Sequence, residues 1–173
     1  MKVKTMGTVS ATTPWKQLLI RALESNSHLK HSSFFQLATV GSDGRPSNRT
    51  VVFRGFEENS DKIQINTDTR TRKVEELKQC PFAELREKSW YDSSIKSRMQ
   101  YLGPNPGLPC LNERPSNEFF LDPSSGPVAP FCLLIVDPEQ VDYLNLKSNQ
   151  RIMFTFTQNA NGENCWNSVR INP

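Results

Sequence analysis

What most restricts this chain is the run from Phe34 to Asp68, where three strand-length segments are separated by two short polar turns. FFQLATV (34–40) is followed by GSDGRPS (41–47), whose Asp-Gly pair suits a tight reversal. RTVVFRGF (49–56) has β-branched residues at its centre, and EENSD (57–61) turns again. KIQINTD (62–68) then alternates, with Ile63 and Ile65 on one face. Connections this short join antiparallel neighbours, whereas a βαβ unit needs a crossover of a dozen residues or more. From about Thr71 the period changes, and Val74 and Leu77 sit three apart on a short helix that ends before Pro81.

The rest of the chain extends this pattern. Residues 14–26 read as an amphipathic helix with Pro14 at its first position and Trp15, Leu18, Leu19, Ala22 and Leu23 on one stripe. A second helix is expected around 86–101. Residues 104–130 hold seven of the twelve prolines and form a long loop. Strands return at 131–137, 140–146 and 151–157, and a NANG turn (159–162) leads into CWNSVRI. The expected fold class is mainly β with a few helices, a small barrel or sheet. It occupies a single domain over 14–173, with a Pro-rich loop at 103–130 behind a flexible N-terminus at 1–13.

Composition narrows the function classes. At 173 residues the chain can bury one proper core, and a net charge of +3 gives no reason of its own to invoke nucleic acid or a membrane. No run is apolar enough to span a bilayer, and the first fourteen residues lack the hydrophobic stretch of a secretory signal. A cytoplasmic location is expected, with organelle targeting left open. Cys80, Cys110, Cys132 and Cys165 are scattered and read as reduced thiols. His28 and His31 have no third ligand nearby, so no metal site is expected. Trp15, Trp90 and Trp166 read as packing anchors.

The chemistry concentrates in INTDTRTRKVEEL (65–77), where a strand meets a helix amid Arg70, Arg72 and Lys73. A phosphate monoester is best held by Arg forks, a Lys point charge and hydroxyls together. Arg49, Thr71, Arg72 and Lys73 provide that set if the strands 49–56 and 62–68 pair. The backbone beside Val51 and Val52 would suit a flat heteroaromatic ring. The bland alternative is a solvated basic face that Glu75 and Glu76 neutralise locally.

These residues carry a resemblance. ATVGSDGRPSNRTVVFRGF, then INTDTRTRKVEEL and CPFAE, resembles the pyridoxamine 5'-phosphate oxidase-like family of FMN-binding split barrels, over roughly residues 14–84. It resumes at REKSWYDSS and at the closing WNSVRINP. The resemblance implies an FMN-binding homodimer with the cofactor in a groove between subunits. It implies that Arg49, Arg72 and Lys73 hold the FMN phosphate with Thr71 nearby. It further implies that Thr50, Val51, Val52, Asn66 and Thr67 line the flavin, with Arg151 close to it. Arg54 stands where the family's oxidases carry a Lys that touches the substrate phosphate.

Two departures qualify what the resemblance implies. The stretch KSNQR (147–151) lacks the R-x-H pair with which those oxidases grip pyridoxamine phosphate. CPFAE (80–84) also runs directly into LREKSW (85–90), so a block of about two strands is absent and the barrel is incomplete or rewired near 84/85. Such a loss leaves unpaired strand edges. The expected function is an FMN-dependent oxidoreductase acting on a small molecule. The alternative is a non-catalytic flavin-binding or interaction module, or a truncated isoform with impaired cofactor binding.

Overall fold

The structure, a computed structural model, describes residues 13–77, 83–109, 119–158 and 162–173, the side chains of residues 83 and 84 excepted. Apart from Thr13, the stretch 1–13 lies outside the described residues, as do 110–118 of the Pro-rich segment and 78–82 just before the 84/85 junction. The elements in chain order are α1 (Pro14–Ser25), β1 (Phe34–Val40), β2 (Pro46–Phe56), β3 (Ile63–Asp68), α2 (Arg72–Leu77) and α3 (Ala83–Tyr91). They continue with α4 (Ile95–Met99), a 3-10 turn at Gln100–Leu102, β4 (Phe131–Val136), β5 (Gln140–Asn145), β6 (Gln150–Gln158) and β7 (Asn164–Ile171). The strands form a four-stranded sheet in the order β1-β2-β3-β4 and a three-stranded sheet in the order β5-β6-β7.

The chain groups into two compact units, each assembled from separate segments. One takes the residues up to Ser33, Phe56–Ile63 and Val136–Pro173; the other takes Phe34–Gly55 and Gln64–Ile135. In the first, Trp15 is buried edge-on against Phe56 and Trp166, with ring centroids 6.0 and 5.5 Å away. Asp61 ties this corner together by accepting from Thr13 (2.9 Å) and from the indole N–H of Trp166 (3.2 Å). The antiparallel pairs β5–β6 and β6–β7 supply the sheet, with Phe154 buried.

The second unit is built on the β1–β2 hairpin, whose register sets Phe35 opposite Val51, Leu37 opposite Arg49 and Thr39 opposite Ser47. Its turn depends on Gly44, whose φ of 75° is one that a side chain would strain. Trp90, Leu121 and Phe131 form the core, with Met99, Tyr101, Leu102 and Val128 packed against it. The described part of the Pro-rich segment has no regular secondary structure. Donors from the helices hold it instead, because a proline-rich backbone offers carbonyls but few N–H groups. Trp90 donates to Ser125 O (2.8 Å), Arg86 to Phe131 O and Val128 O (2.7 and 2.6 Å), and Arg98 to Pro123 O (3.0 Å).

One expectation is corrected. The helix read across 86–101 is broken into α3, α4 and the 3-10 turn. The cause is the serine pair. Ser93 Oγ donates back to Ser89 O at 2.9 Å, and Ser94 accepts from Ser97 N as the N-cap of a new helix.

Candidate functional site

Strand alternation divides the residues singled out on β2. Arg49 and Val51 point to one face, and Thr50, Val52 and Arg54 to the other. Val51 is buried, Val52 is half-buried, and Thr50 is exposed and accepts from Gln36 at 2.9 Å. Arg54 is exposed, yet its charge is felt at Tyr101. Burial pushes the Tyr101 phenol up to about 12, and Arg54 works against that rise.

Arg49 meets three acceptors, the Leu37 carbonyl at 3.4 Å and two side chains. One guanidinium nitrogen donates to Thr39 Oγ1 on the neighbouring strand, and the other donates to Glu76 on α2 at 2.8 Å. Thr39 Oγ1 in turn donates to Glu76, which closes a three-membered ring of hydrogen bonds. The ion pair is well sheltered, with the Arg49 side chain 23% and the Glu76 side chain 10% exposed. Glu76 is held below the ordinary carboxylate value by the Thr39 hydroxyl first, and then, against the cost of burial, by Arg49 and the Arg72 charge.

Lys73, on the first turn of α2, completes the cluster. Its amine donates to Thr71 Oγ1 at 2.9 Å, and that hydroxyl donates to Asp68 O at 2.7 Å. Thr71 has therefore committed its proton and serves to place Lys73. Burial, and then the neighbouring Arg49 charge, lower the Lys73 pKa, while Asp68, Cys132 and Glu76 pull it back up. Arg72 is exposed and makes no hydrogen bond or ion pair among the described residues. Arg49, Arg72 and Lys73 thus stand near Glu76, with Asp68 also acting on Lys73, and the Arg49 and Lys73 charges disfavour one another. An anion with about two negative charges would relieve that repulsion. Side chains carry this site, because α2 has only six residues and a correspondingly small dipole.

Arg70, the other cation of this stretch, has a different task. It forms a fork with Asp68 (2.7 and 2.9 Å) and reaches Gly103 O at 2.9 Å, pinning the segment after α4. Burial would raise the Asp68 pKa, but the hydrogen bonds and charge of Arg70 outweigh it and hold the carboxyl low.

On β3, both ends of the Asn66 amide are engaged within the protein. Its oxygen accepts from Ser89 at 2.6 Å and its nitrogen donates to Ser93 at 3.0 Å. These two bonds fix the orientation of the amide. Thr67 is the opposite case: it is 3% exposed, and its hydroxyl has no hydrogen-bond partner among the described residues. A buried hydroxyl left without a partner costs about 1–3 kcal/mol, which a ligand acceptor or donor would recover. Arg151 belongs to the other unit, where it grips Asp142 through two nitrogens at 2.6 and 3.0 Å.

Sequence reasoning did not find Thr39. Its signal is the hairpin register, which puts Leu37, Thr39 and Arg49 on one face once Leu37 is set opposite Arg49. Glu76 was legible only as a neighbouring charge. Both depend on how α2 lies beside β1.

Comparison with known proteins identifies the family. Residues 12–103 match the pyridoxamine 5'-phosphate oxidase, FMN-binding domain family. A curated relative from Arabidopsis thaliana, pyridoxine/pyridoxamine 5'-phosphate oxidase 2, is 52% identical and is aligned over 97% of this chain and 100% of its own. That alignment runs over 200 positions, more than the 173 residues of this chain, so the relative carries residues with no counterpart here. Among solved structures, a pyridoxamine 5'-phosphate oxidase-related, FMN binding protein from Nostoc punctiforme superposes with a TM-score of 0.78 at 31% identity. It covers 95% of this chain and 100% of that one. PhzG from Burkholderia lata, solved with tetrahydrophenazine-1-carboxylic acid, gives a TM-score of 0.65 over the full length of both chains; at 15% identity it shows the fold alone. The fold class is mainly β with a few helices, of the split-barrel type with open sheets.

Proposed function

This chain belongs to the pyridoxamine 5'-phosphate oxidase, FMN-binding domain family, and from that premise we propose that it is an FMN-dependent oxidoreductase of a small phosphorylated amine or alcohol. FMN is its cofactor. The observation that carries the reading is the sheltered pair of Arg49 and Lys73, with Glu76 and Asp68 the carboxylates that balance them among the described residues. This set fits a phosphate monoester, and the partnerless Thr67 hydroxyl fits a polar atom of the same ligand. Arg49 and Lys73 would hold the phosphate, and exposed Arg72 would add long-range attraction. Thr71 keeps the Lys73 amine in place, and Asn66 braces β3 against α3 through Ser89 and Ser93.

When bound, FMN supplies two-electron oxidation chemistry, and the chain's part is to bind and orient. Arg54, on the opposite face of β2 from Arg49, is the candidate for a substrate anion. The resemblance places a Lys in the family's oxidases where Arg54 stands, and the forked guanidinium offers a substrate anion a different hydrogen-bond geometry from an ammonium. We include in the proposal a homodimer and an intracellular location. The exposed Leu144, Leu146 and Val169 support a protein-facing surface on the β5-β6-β7 unit.

A second reading has its own support. Among the described residues no strand lies between α2 and α3, and the alignment with the relative needs positions this chain lacks. Together with KSNQR in place of an R-x-H pair, this favours a flavin-binding module without turnover. Incubation of the FMN-loaded protein with pyridoxamine 5'-phosphate under air decides between them. Formation of the aldehyde with matching hydrogen peroxide supports the oxidase. Bound FMN with no product from the amine or alcohol form supports the module.

A further inference from the structure

The Arg49 guanidinium already has an anion against it. Glu76 accepts from Arg49 at 2.8 Å and also from Thr39, and Thr39 accepts from Arg49, so the carboxylate is fixed against the cationic cluster. We propose that Glu76 is a resident counter-anion of the phosphate site, which stabilises the ligand-free protein and weakens FMN binding through repulsion of the incoming phosphate. This rests on the reading of Arg49 and Lys73 as phosphate ligands.

The argument is one of charge in a sheltered place. Without ligand, the Arg49 and Lys73 charges disfavour one another, and Lys73 also bears the cost of burial. Glu76, one-tenth exposed, relieves Arg49 directly by bonding it, and adds to the larger effect of Asp68 on Lys73. Once a phosphate arrives with nearly two negative charges, the two cations are satisfied by the ligand, and the carboxylate becomes a like charge a few ångströms away. At such a separation and partial burial, removing one unit of negative charge should tighten binding roughly tenfold. Thr39 keeps the carboxylate from turning aside, since its hydroxyl bonds both members of the pair.

Glu76→Gln separates this role from simple positioning, because the amide keeps the shape and an acceptor oxygen while losing the charge. The test compares dissociation constants for FMN and riboflavin in the wild type, Glu76→Gln and Glu75→Gln, at low and high salt, with melting curves of the ligand-free proteins. Glu75 lies on the same helix and is exposed. The expected result is a Glu76→Gln protein that binds FMN roughly tenfold more tightly, the gain shrinking in high salt. Its riboflavin affinity stays within about twofold of wild type, it melts at a lower temperature without ligand, and Glu75→Gln behaves as wild type. Unchanged or weaker FMN binding by Glu76→Gln overturns the inference, as does an equal gain for riboflavin. If the variant is unfolded alone, FMN should restore its fold; failure to do so also counts against the proposal. A wild type that binds FMN no better than riboflavin overturns the phosphate assignment itself, and this inference with it.

Discussion

Arg49 and Lys73 differ in what each would lose on substitution. Lys73 is placed by Thr71 and bears an unfavourable charge without ligand, so Lys73→Gln should cost little stability. It should weaken FMN binding by roughly tenfold to a hundredfold, the scale of a hydrogen bond to a charged group. Arg49→Gln removes a proposed phosphate ligand and also leaves Glu76 sheltered without its cation, so it should lower both FMN affinity and the ligand-free melting temperature. Equal melting temperatures for the two variants would contradict this distinction. The carboxylates add a pH dependence. Asp68 and Glu76 have folded-state pKa values below their ordinary ones, so their contribution is present above the ordinary carboxylate range and is lost as pH falls through the lowered values. Melting temperature should therefore fall as pH drops from 5 towards 3, on the order of the carboxylate range, and less steeply in Glu76→Gln.

At the scale of elements, α3 and α4 replace regular pairing with side-chain donors to hold the segment before β4. Trp90 is fully buried, packs edge-on to Phe131 at 5.0 Å and donates to Ser125 O. Trp90→Ala should cost about 3–5 kcal/mol by chemical denaturation, and Trp90→Phe less because the ring contact survives. Near-equal losses would show that the indole hydrogen bond dominates. The strands could be read from the sequence because alternation and the Asp-Gly turn are local signals; β1 was legible to the residue and β2 began only three residues early, at Pro46. The break between α3 and α4 was not, because Ser93 and Ser94 act through hydrogen bonds whose geometry a spacing pattern does not contain. The same holds at the site. Arg49, Arg72 and Lys73 were visible as charges, but the ring through Thr39 and the engagement of Asn66 by Ser89 and Ser93 arise only when separate elements meet.

For the molecule as a whole, the question is what a family member retains when its chain is shorter than its relative's. Among the described residues the four-stranded sheet ends in β1 and β4, and no helix is long and apolar enough to cross a membrane. The proposed phosphate cluster draws on β1, β2, α2 and the β3–α2 connection, all on the N-terminal side of the 84/85 junction. It should therefore remain intact even where the flavin ring has fewer contacts. The most direct test is an FMN titration of the purified protein, read by its visible absorption spectrum and a melting curve at each point, with Lys73→Gln in parallel. The account predicts a flavin spectrum that stays with the protein through gel filtration and a melting temperature that rises with FMN, the rise being largely lost in Lys73→Gln. A colourless protein with a flat melting curve, or a variant that responds as the wild type does, would contradict it.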